Sequence, residues 1–245
     1  MIFLGIDIGG TGIKGAPVCV ETGELKSDRI RVRTPQPATP DQVIDAAAGI
    51  VAHFDLKGPV GFGFPAVIKN GEVLTAANID SSWIGINAIN LIEKATNRSI
   101  VLLNDADAAG IAEMKFGAGK NRSGVVITVT LGTGIGTSIF VNGKLLPNTE
   151  FGHIEMMGFI AEKYAAGGVR KKKGLTWIEW GSRVNQYLCK LHELIRPDLI
   201  ILGGGVSNNY KKFSPCFTVD TEVTQARLKN KAGIIGAAIA AEAAF

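Results

Sequence analysis

The sequence predicts an α/β protein built from two halves that open on the same unit. Leu4–Val18, LGIDIGGTGIKGAPV, reads strand, Gly/Thr turn, strand, and Ile127–Val141, ITVTLGTGIGTSIFV, repeats that build far downstream. Around these hairpins, short apolar strands alternate with helix-period segments, the pattern of an α/β fold. No low-complexity linker divides the halves.

The elements follow in order. Ile2–Ile8 and Thr11–Val20 form the first hairpin. Arg29–Arg33 alternates Arg with Ile and Val, as a one-sided strand does. Pro35, Pro37 and Pro40 break structure, and Thr39 or Asp41 can cap a helix to about Phe54. Val60–Phe64 and Ile100–Leu103 are short buried strands, and Asn104 or Asp105 caps a helix to about Phe116. Val125–Val141 holds the second hairpin. Leu175–Ile195 is a long amphipathic helix, with Trp177, Trp180, Val184, Leu188, Leu191 and Ile195 near helical spacing and Pro197 as its stop. Leu199–Leu202 is a strand leading into Gly203-Gly204-Gly205. Gly233–Ala244 is a small-residue helix able to pack very close to its neighbours.

Composition narrows the class. With 245 residues and 46% hydrophobic content, the chain can bury one large core or two small ones. No run of 18 apolar residues exists, so no membrane span is expected. The N-terminal MIFLGIDIGG lacks a basic region and a cleavage site, so it reads as a strand and not a signal peptide. Cys19, Cys189 and Cys216 are scattered and odd in number, which fits a reducing cytoplasm. The net charge of +4 permits a polyanionic ligand without demanding nucleic acid.

The glycine turns suit phosphate. Without Cβ atoms, backbone N–H groups can approach phosphate oxygens, and Thr11, Thr133 and Thr137 can add hydroxyl donors. Candidate phosphate ligands are Gly9, Gly10, Thr11, Gly12 and Lys14 in the first turn and Gly132, Thr133 and Gly134 in the second. The same glycines also suit plain tight hairpins. Gly10–Gly15 spells a dinucleotide GxGxxG, but that motif needs a following helix, and Ala16–Val20 is β-like and contains Pro17. Gly119-Lys120 is followed by Asn121, which excludes a P-loop. Asp7 ends an apolar strand against the first turn. A buried carboxylate is costly unless paired or bound to metal. Mg²⁺, held directly or through water, would satisfy it beside phosphates.

The segments DIGGTGIKGAPV, GFGFPAVIKNG, AANIDSSWIG, LNDADAAG, TLGTGIGTS, PNTEFGHIE, RVNQYL…RPDLIILGGGVS and NKAGIIGAA, in this order, cover nearly the whole chain. Together they resemble the sugar-kinase branch of the actin/hexokinase superfamily. Within it the chain resembles the repressor–ORF–kinase group, and there most of all its polyphosphate-glucokinase members. The resemblance implies a two-lobed, ribonuclease-H-like α/β kinase with glucose in the cleft between the lobes. It implies a small lobe of residues 1–103, joined by a returning C-terminal helix at 231–245, and a large lobe of residues 104–230. The donor would be inorganic polyphosphate, ATP or both, with Mg²⁺ near Asp7 as cofactor, and the sequence leaves mannose use open beside glucose. A cytoplasmic homodimer is implied because relatives form one, with no nucleic-acid or membrane partner.

By the same resemblance Asp105 is the catalytic base and Asn104 binds sugar hydroxyls, although simple helix capping also explains either residue. A carboxylate on a rigid strand–helix junction suits proton acceptance from a sugar hydroxyl. Glu150 and His153 bind the sugar, with Glu155 beside them. Asn78 contacts it, and Phe64, Pro65 and Ala66 shape a wall. Trp83 reads equally as wall or core. Gly204 and Gly205 lie where the family holds adenosine, which keeps ATP open. Many relatives follow the Gly-His segment with CxCGxxGC, a zinc cluster. Nothing of the kind follows His153 here, so no zinc is expected.

Arg29, Arg31 and Arg33, and the run Val169–Lys173, are candidate tracks for a long polyanion, yet each reads first as a solvated face. Gly167-Gly168 and Gly174 make the Lys run a mobile loop. Three alternatives stand beside this reading. One is a strictly ATP-dependent hexose kinase. Another is a sugar-responsive repressor, disfavoured because such proteins carry an N-terminal helix-turn-helix and this sequence starts on a strand. The last is a dinucleotide oxidoreductase, disfavoured at Pro17.

Overall fold

The computed structural model describes residues 1–77 and 79–244. Its elements run in chain order: β1 Ile2–Gly9, β2 Gly12–Cys19, β3 Glu24–Leu25, β4 Ile30–Val32, α1 Pro40–Phe54, β5 Val60–Phe64, β6 Ile68–Lys69, β7 Glu72–Val73, α2 Ala88–Thr96, β8 Ile100–Asn104 and α3 Asp105–Phe116. Then follow β9 Val125–Leu131, β10 Ile135–Val141, β11 Lys144–Leu146, β12 Glu155–Met156, β13 Phe159–Ile160, α4 Ala161–Ala165, α5 Gly167–Lys172, α6 Trp177–Ile195, β14 Leu199–Gly203, α7 Tyr210–Phe213, β15 Glu222–Gln225 and α8 Ala232–Ala243. No helix among the described residues is long and apolar enough to cross a membrane. The chain divides into two compact units, Met1–Ala112 with Lys231–Phe245, and Glu113–Asn230.

Each unit is organised around one sheet, and the two sheets share a plan. In unit 1 the order is β3-β2-β1-β5-β8, with β4 also on β2. In unit 2 it is β11-β10-β9-β14-β15. Both begin with an antiparallel hairpin, β1–β2 or β9–β10, and continue in parallel, through β5 and β8 or through β14 and β15. The repeat legible in the two hairpins therefore extends to whole sheets.

The helices form where the residues dictate. α1 begins with Pro40 behind Thr39, buries Val43, Ile44, Ala47, Ile50 and Val51 at helical spacing, and ends at Asp55 in the left-handed region. α6 opens on a full capping box, Thr176 with Glu179, and buries Trp180, Val184, Leu188 and Leu191 along one face. That face covers Ile127, Val129, Ile200 and Leu202 in the core of unit 2. In unit 1, α1 and α2 bury their apolar faces in a core with Ile6, Ile13, Phe62, Phe64 and Trp83.

α8 is different, being buried on nearly every side. It lies on β1 and β5 where Gly5 and Gly61 face each other in register. A Cβ on Gly5 would stand 1.9 Å from the Ile234 carbonyl oxygen, and one on Gly61 would stand 1.8 Å from that of Ala237. Gly236 repays the approach from the helix side, since its Cβ would meet the Ala108 oxygen of α3 at 1.7 Å. Backbone cannot yield as a flexible side chain can, so Gly61→Val should cost about 3 kcal/mol, the upper end of overpacking. A urea midpoint indistinguishable from wild type would refute this contact.

One expectation needs correction. The Lys run is not a loop: Gly167–Lys172 is helical, and only Gly174 beyond it has a positive φ, 63°. The sequence also passed over α2, whose start is marked by Asn87 accepting from the Asn90 amide.

Candidate active site

In unit 1 the first glycine turn closes between β1 and β2, where Gly9 and Gly12 pair and Gly10-Thr11 make the bend. The Thr34 hydroxyl, itself buried, donates to the Gly9 carbonyl at 2.5 Å and pins one side. Arg31 pins the other: its Nη2 donates to the Thr11 carbonyl at 3.2 Å, and its guanidinium occupies the space a Cβ on Gly12 would need. In the sequence Arg31 reads as part of a charge track on a one-sided strand, with no sign of contact to the turn. Its register partner on β2 is Lys14.

Asp7 also faces Lys14 across the hairpin, with Lys14 Nζ 2.9 Å from Asp7 Oδ2. The charge of this half-buried carboxylate is thus paired within the protein. The expectation that burial demands a metal is answered by Lys14, and a cation would be an additional partner. The residues fit one nonetheless. Mg²⁺ typically takes one or two carboxylates and completes its shell with phosphate oxygens and water. Asp7 supplies one carboxylate beside the turn, and α8 begins against it, where a Cβ on Gly233 would stand 2.8 Å from Asp7 Cγ. The partial positive charge of that helix start favours anions.

At the end of β8, Asn104 is buried and fully engaged as a cap. Its Oδ1 accepts from the amides of Ala106 at 2.8 Å and Asp107 at 3.2 Å, and its Nδ2 donates to the Ala66 carbonyl at 3.0 Å. Asp105 follows as the first residue of α3, half-buried and beside Gly63. The Asn104–Ala66 bond fixes the bend Phe64-Pro65-Ala66 against this junction. The Phe64 ring is wholly buried, edge-on to Trp83 with centroids 4.7 Å apart, and Pro65 is half-buried. Trp83 is core: it is fully buried and its Nε1 donates to the Ala38 carbonyl at 2.9 Å. The expected sugar contact Asn78 lies outside the described residues. Nearby, Asp80 caps a 3₁₀ turn, and its bonds from Ser82 hold its carboxyl below the usual range.

In unit 2 the second turn, Gly132-Thr133-Gly134, joins β9 to β10, with the Gly132 amide donating to the Gly134 carbonyl at 3.0 Å. Two other glycine segments meet it. The Gly168 amide donates to the Gly132 carbonyl at 2.9 Å. Gly204, at φ 80°, lies so close to Leu131 that a Cβ would stand 2.5 Å from its carbonyl oxygen. Only glycine combines this φ with that approach. Gly205 follows as the exposed start of the next 3₁₀ turn. Thr133 is exposed at the tip. Thr137 is not: its hydroxyl donates to the Thr149 carbonyl at 2.7 Å and accepts from the Phe151 amide at 3.1 Å.

That use of Thr137 positions the polar group next in line. With Gly152 packed against the Ile135 carbonyl, it holds Glu150–His153 on the start of β10. Glu150 Oε2 lies 3.3 Å from His153 Nδ1, while Glu155 is exposed on β12. Burial pushes the Glu150 carboxyl up, Glu162 adds to this, and His153 opposes it. A carboxyl raised in the fold contributes stability below the unfolded value of 4.5 and loses it as pH rises through the folded value. Ionised Glu150 therefore burdens the fold at pH 7. Glu150→Gln should raise stability there by less than about 1 kcal/mol, because the group is partly exposed and screened. The gain should vanish near pH 4. Thermal melts at both values test this, and a lower melting temperature for the variant at pH 7 would contradict it.

The fold and these segments have relatives. Residues 3–168 match the model of the ROK family. The chain belongs to that family. As a ROK protein it is 48% identical over 240 residues to a polyphosphate glucokinase of Mycobacterium tuberculosis, covering 98% of this chain and 91% of that one. Its structure matches that of an inorganic polyphosphate/ATP-glucomannokinase from Arthrobacter sp. strain KM with a TM-score of 0.97 and 42% identity, over 100% and 99% of the chains. It also matches a ROK family glucokinase from Streptomyces griseus, solved with glucose and AMPPNP, with a TM-score of 0.83 and 27% identity over 97% and 98%. The α/β architecture of this ROK chain is the actin/hexokinase-like one.

Proposed function

We propose that the protein transfers the terminal phosphoryl group of inorganic polyphosphate to the 6-hydroxyl of glucose. The observation that carries this is the near-full-length identity to a polyphosphate glucokinase. Asp105 accepts the hydroxyl proton as the sugar oxygen attacks the terminal phosphorus. The bond to the next phosphate breaks, and the chain leaves one unit shorter with the electron pair. Asn104, Pro65 and Asn78, with Glu150 and His153, position the hexose, with Glu155 at the margin. Gly9, Gly10, Thr11, Gly12 and Lys14, with Gly132, Thr133, Gly134, Gly204 and Gly205, hold the donor phosphates through backbone amides and short side chains. Mg²⁺ near Asp7 would neutralise phosphate charge when bound. Three unpaired cysteines suit a cytoplasmic setting, and we take the active form to be a homodimer.

ATP is a second donor on this reading, supported by the likeness to the polyphosphate/ATP-glucomannokinase. The test is glucose 6-phosphate formation with Mg²⁺, comparing long-chain polyphosphate with ATP at equal phosphoryl concentration. Turnover favouring polyphosphate supports the proposal. Turnover with ATP alone keeps the hexose site and removes the polyphosphate assignment. A parallel assay with mannose fixes the hexose range.

A further inference from the structure

Six cations of unit 2 fall in two short runs, Arg170–Lys173 and Lys211-Lys212. Arg122 pairs with Glu222, Lys163 with Glu162 and Lys190 with Glu193. Arg170, Lys171, Lys172, Lys173, Lys211 and Lys212 make no ion pair among the described residues. The five lysines are exposed. Neither run contains a carboxylate, whereas a solvated face usually interleaves both signs.

Their placement adds a second observation. Arg170–Lys173 lie on and just after α5, whose first residues pack on the second glycine turn: Gly168 donates to Gly132, and a Cβ there would meet the Thr133 oxygen at 3.0 Å. Lys211 and Lys212 lie on α7, which follows the segment Gly204–Asn209 that leans on Leu131 at the same turn. Trp177 joins the two groups. The Arg170 guanidinium sits 3.9 Å from its ring centroid and Lys212 Nζ 5.7 Å, while Phe213 stacks behind at 6.0 Å and 18°. Arg170 is further fixed by donating to the Leu175 carbonyl at 3.1 Å. Arg170 and Lys212 thus meet on one aromatic ring, and each lies on a segment that packs against the second glycine turn.

We propose that these six residues, around Trp177, form an extended subsite for the part of a polyphosphate chain that is not transferred. This rests on the polyphosphate-dependent activity proposed above. A nucleoside triphosphate places all its charge at the turn and gains nothing from cations beyond it. A long chain gains with each phosphate it lays down, through displacement of counterions. The subsite therefore selects for donor length.

Two variants test it, K171Q/K172Q/K173Q and K211Q/K212Q, both confined to exposed side chains. In either, KM for long-chain polyphosphate should rise about tenfold and depend less on salt. KM for tripolyphosphate, ATP and glucose, and kcat, should stay unchanged. An unchanged KM for the long chain overturns the subsite. So does an equal rise for ATP, which would place the cations' effect at the turn. If the wild type makes no glucose 6-phosphate from polyphosphate, the functional reading fails, and the subsite is judged by binding alone. Long-chain polyphosphate should then quench tryptophan fluorescence in the wild type at lower concentration than in either variant. Equal titrations overturn the subsite in that case as well.

Discussion

Asp105→Asn lowers kcat by about 10²–10⁴-fold, the usual contribution of a general base, and leaves KM for glucose within a few-fold. The expectation is specific because the structure separates two neighbouring roles. The cap of α3 comes from Asn104, which accepts both amides. Asp105 sits one residue on, inside the helix, half-buried and at the end where negative charge is favoured. Removing its charge should forfeit about 0.3–1 kcal/mol at the helix start, too little to unfold a typical domain. Asn104→Ala should instead cost about 1 kcal/mol of stability through the lost cap, and should raise KM for glucose through the lost hexose contact. Steady-state kinetics and circular dichroism on both variants separate these roles. An Asp105→Asn enzyme retaining a tenth of wild-type turnover would remove this residue from the chemistry.

Glu113→Ala should cost about 3–5 kcal/mol, a large share of a typical domain's stability. Glu113 is 2% exposed and its two oxygens accept three backbone amides: Ala118 at 2.8 Å, Arg227 at 3.1 Å and Leu228 at 2.7 Å. It opens unit 2 in the sequence, and Arg227 and Leu228 lie just before that unit ends. One carboxylate therefore fastens the first turn of the unit's chain to its last. The alanine variant leaves three donors without their acceptor, which is the expensive case. Glu113→Gln retains one oxygen and should lie between. Urea unfolding of the three proteins measures the series, and a Glu113→Ala loss under 1 kcal/mol would show that water or a shifted backbone replaces the carboxylate.

Much of this was legible in the residues. Both glycine hairpins, the strand Val60–Phe64, the helix from Asp105 to Phe116 and the close-packed C-terminal helix follow from local pattern, because apolar period and glycine placement act over a few residues. Other features depended on partners distant in sequence. Trp83 could have lined a sugar or filled a core, and the Ala38 carbonyl, 45 residues away, settles it as core. Gly167-Gly168 read as a flexible lead-in to a loop; contact with Gly132 and Thr133 turns the same glycines into a fit that starts a helix. Thr137 had the right type for a phosphate donor, and its hydroxyl is committed to Thr149 and Phe151. Arg31 carried the fainter signal of alternation, and only the pairing of β4 with β2 brings it to the first turn.

The burial of α8 has a consequence for the order of synthesis. This helix covers β1 and β5, yet it leaves the ribosome after every residue of unit 2. The N-terminal sheet is translated first and completed last. Until then the faces at Gly5 and Gly61 lack their cover, while the contiguous unit 2 has all its parts as soon as it emerges. The chain therefore passes through a stage in which its later half can fold and its earlier half exposes bare sheet, the kind of intermediate on which chaperones act and from which aggregation starts.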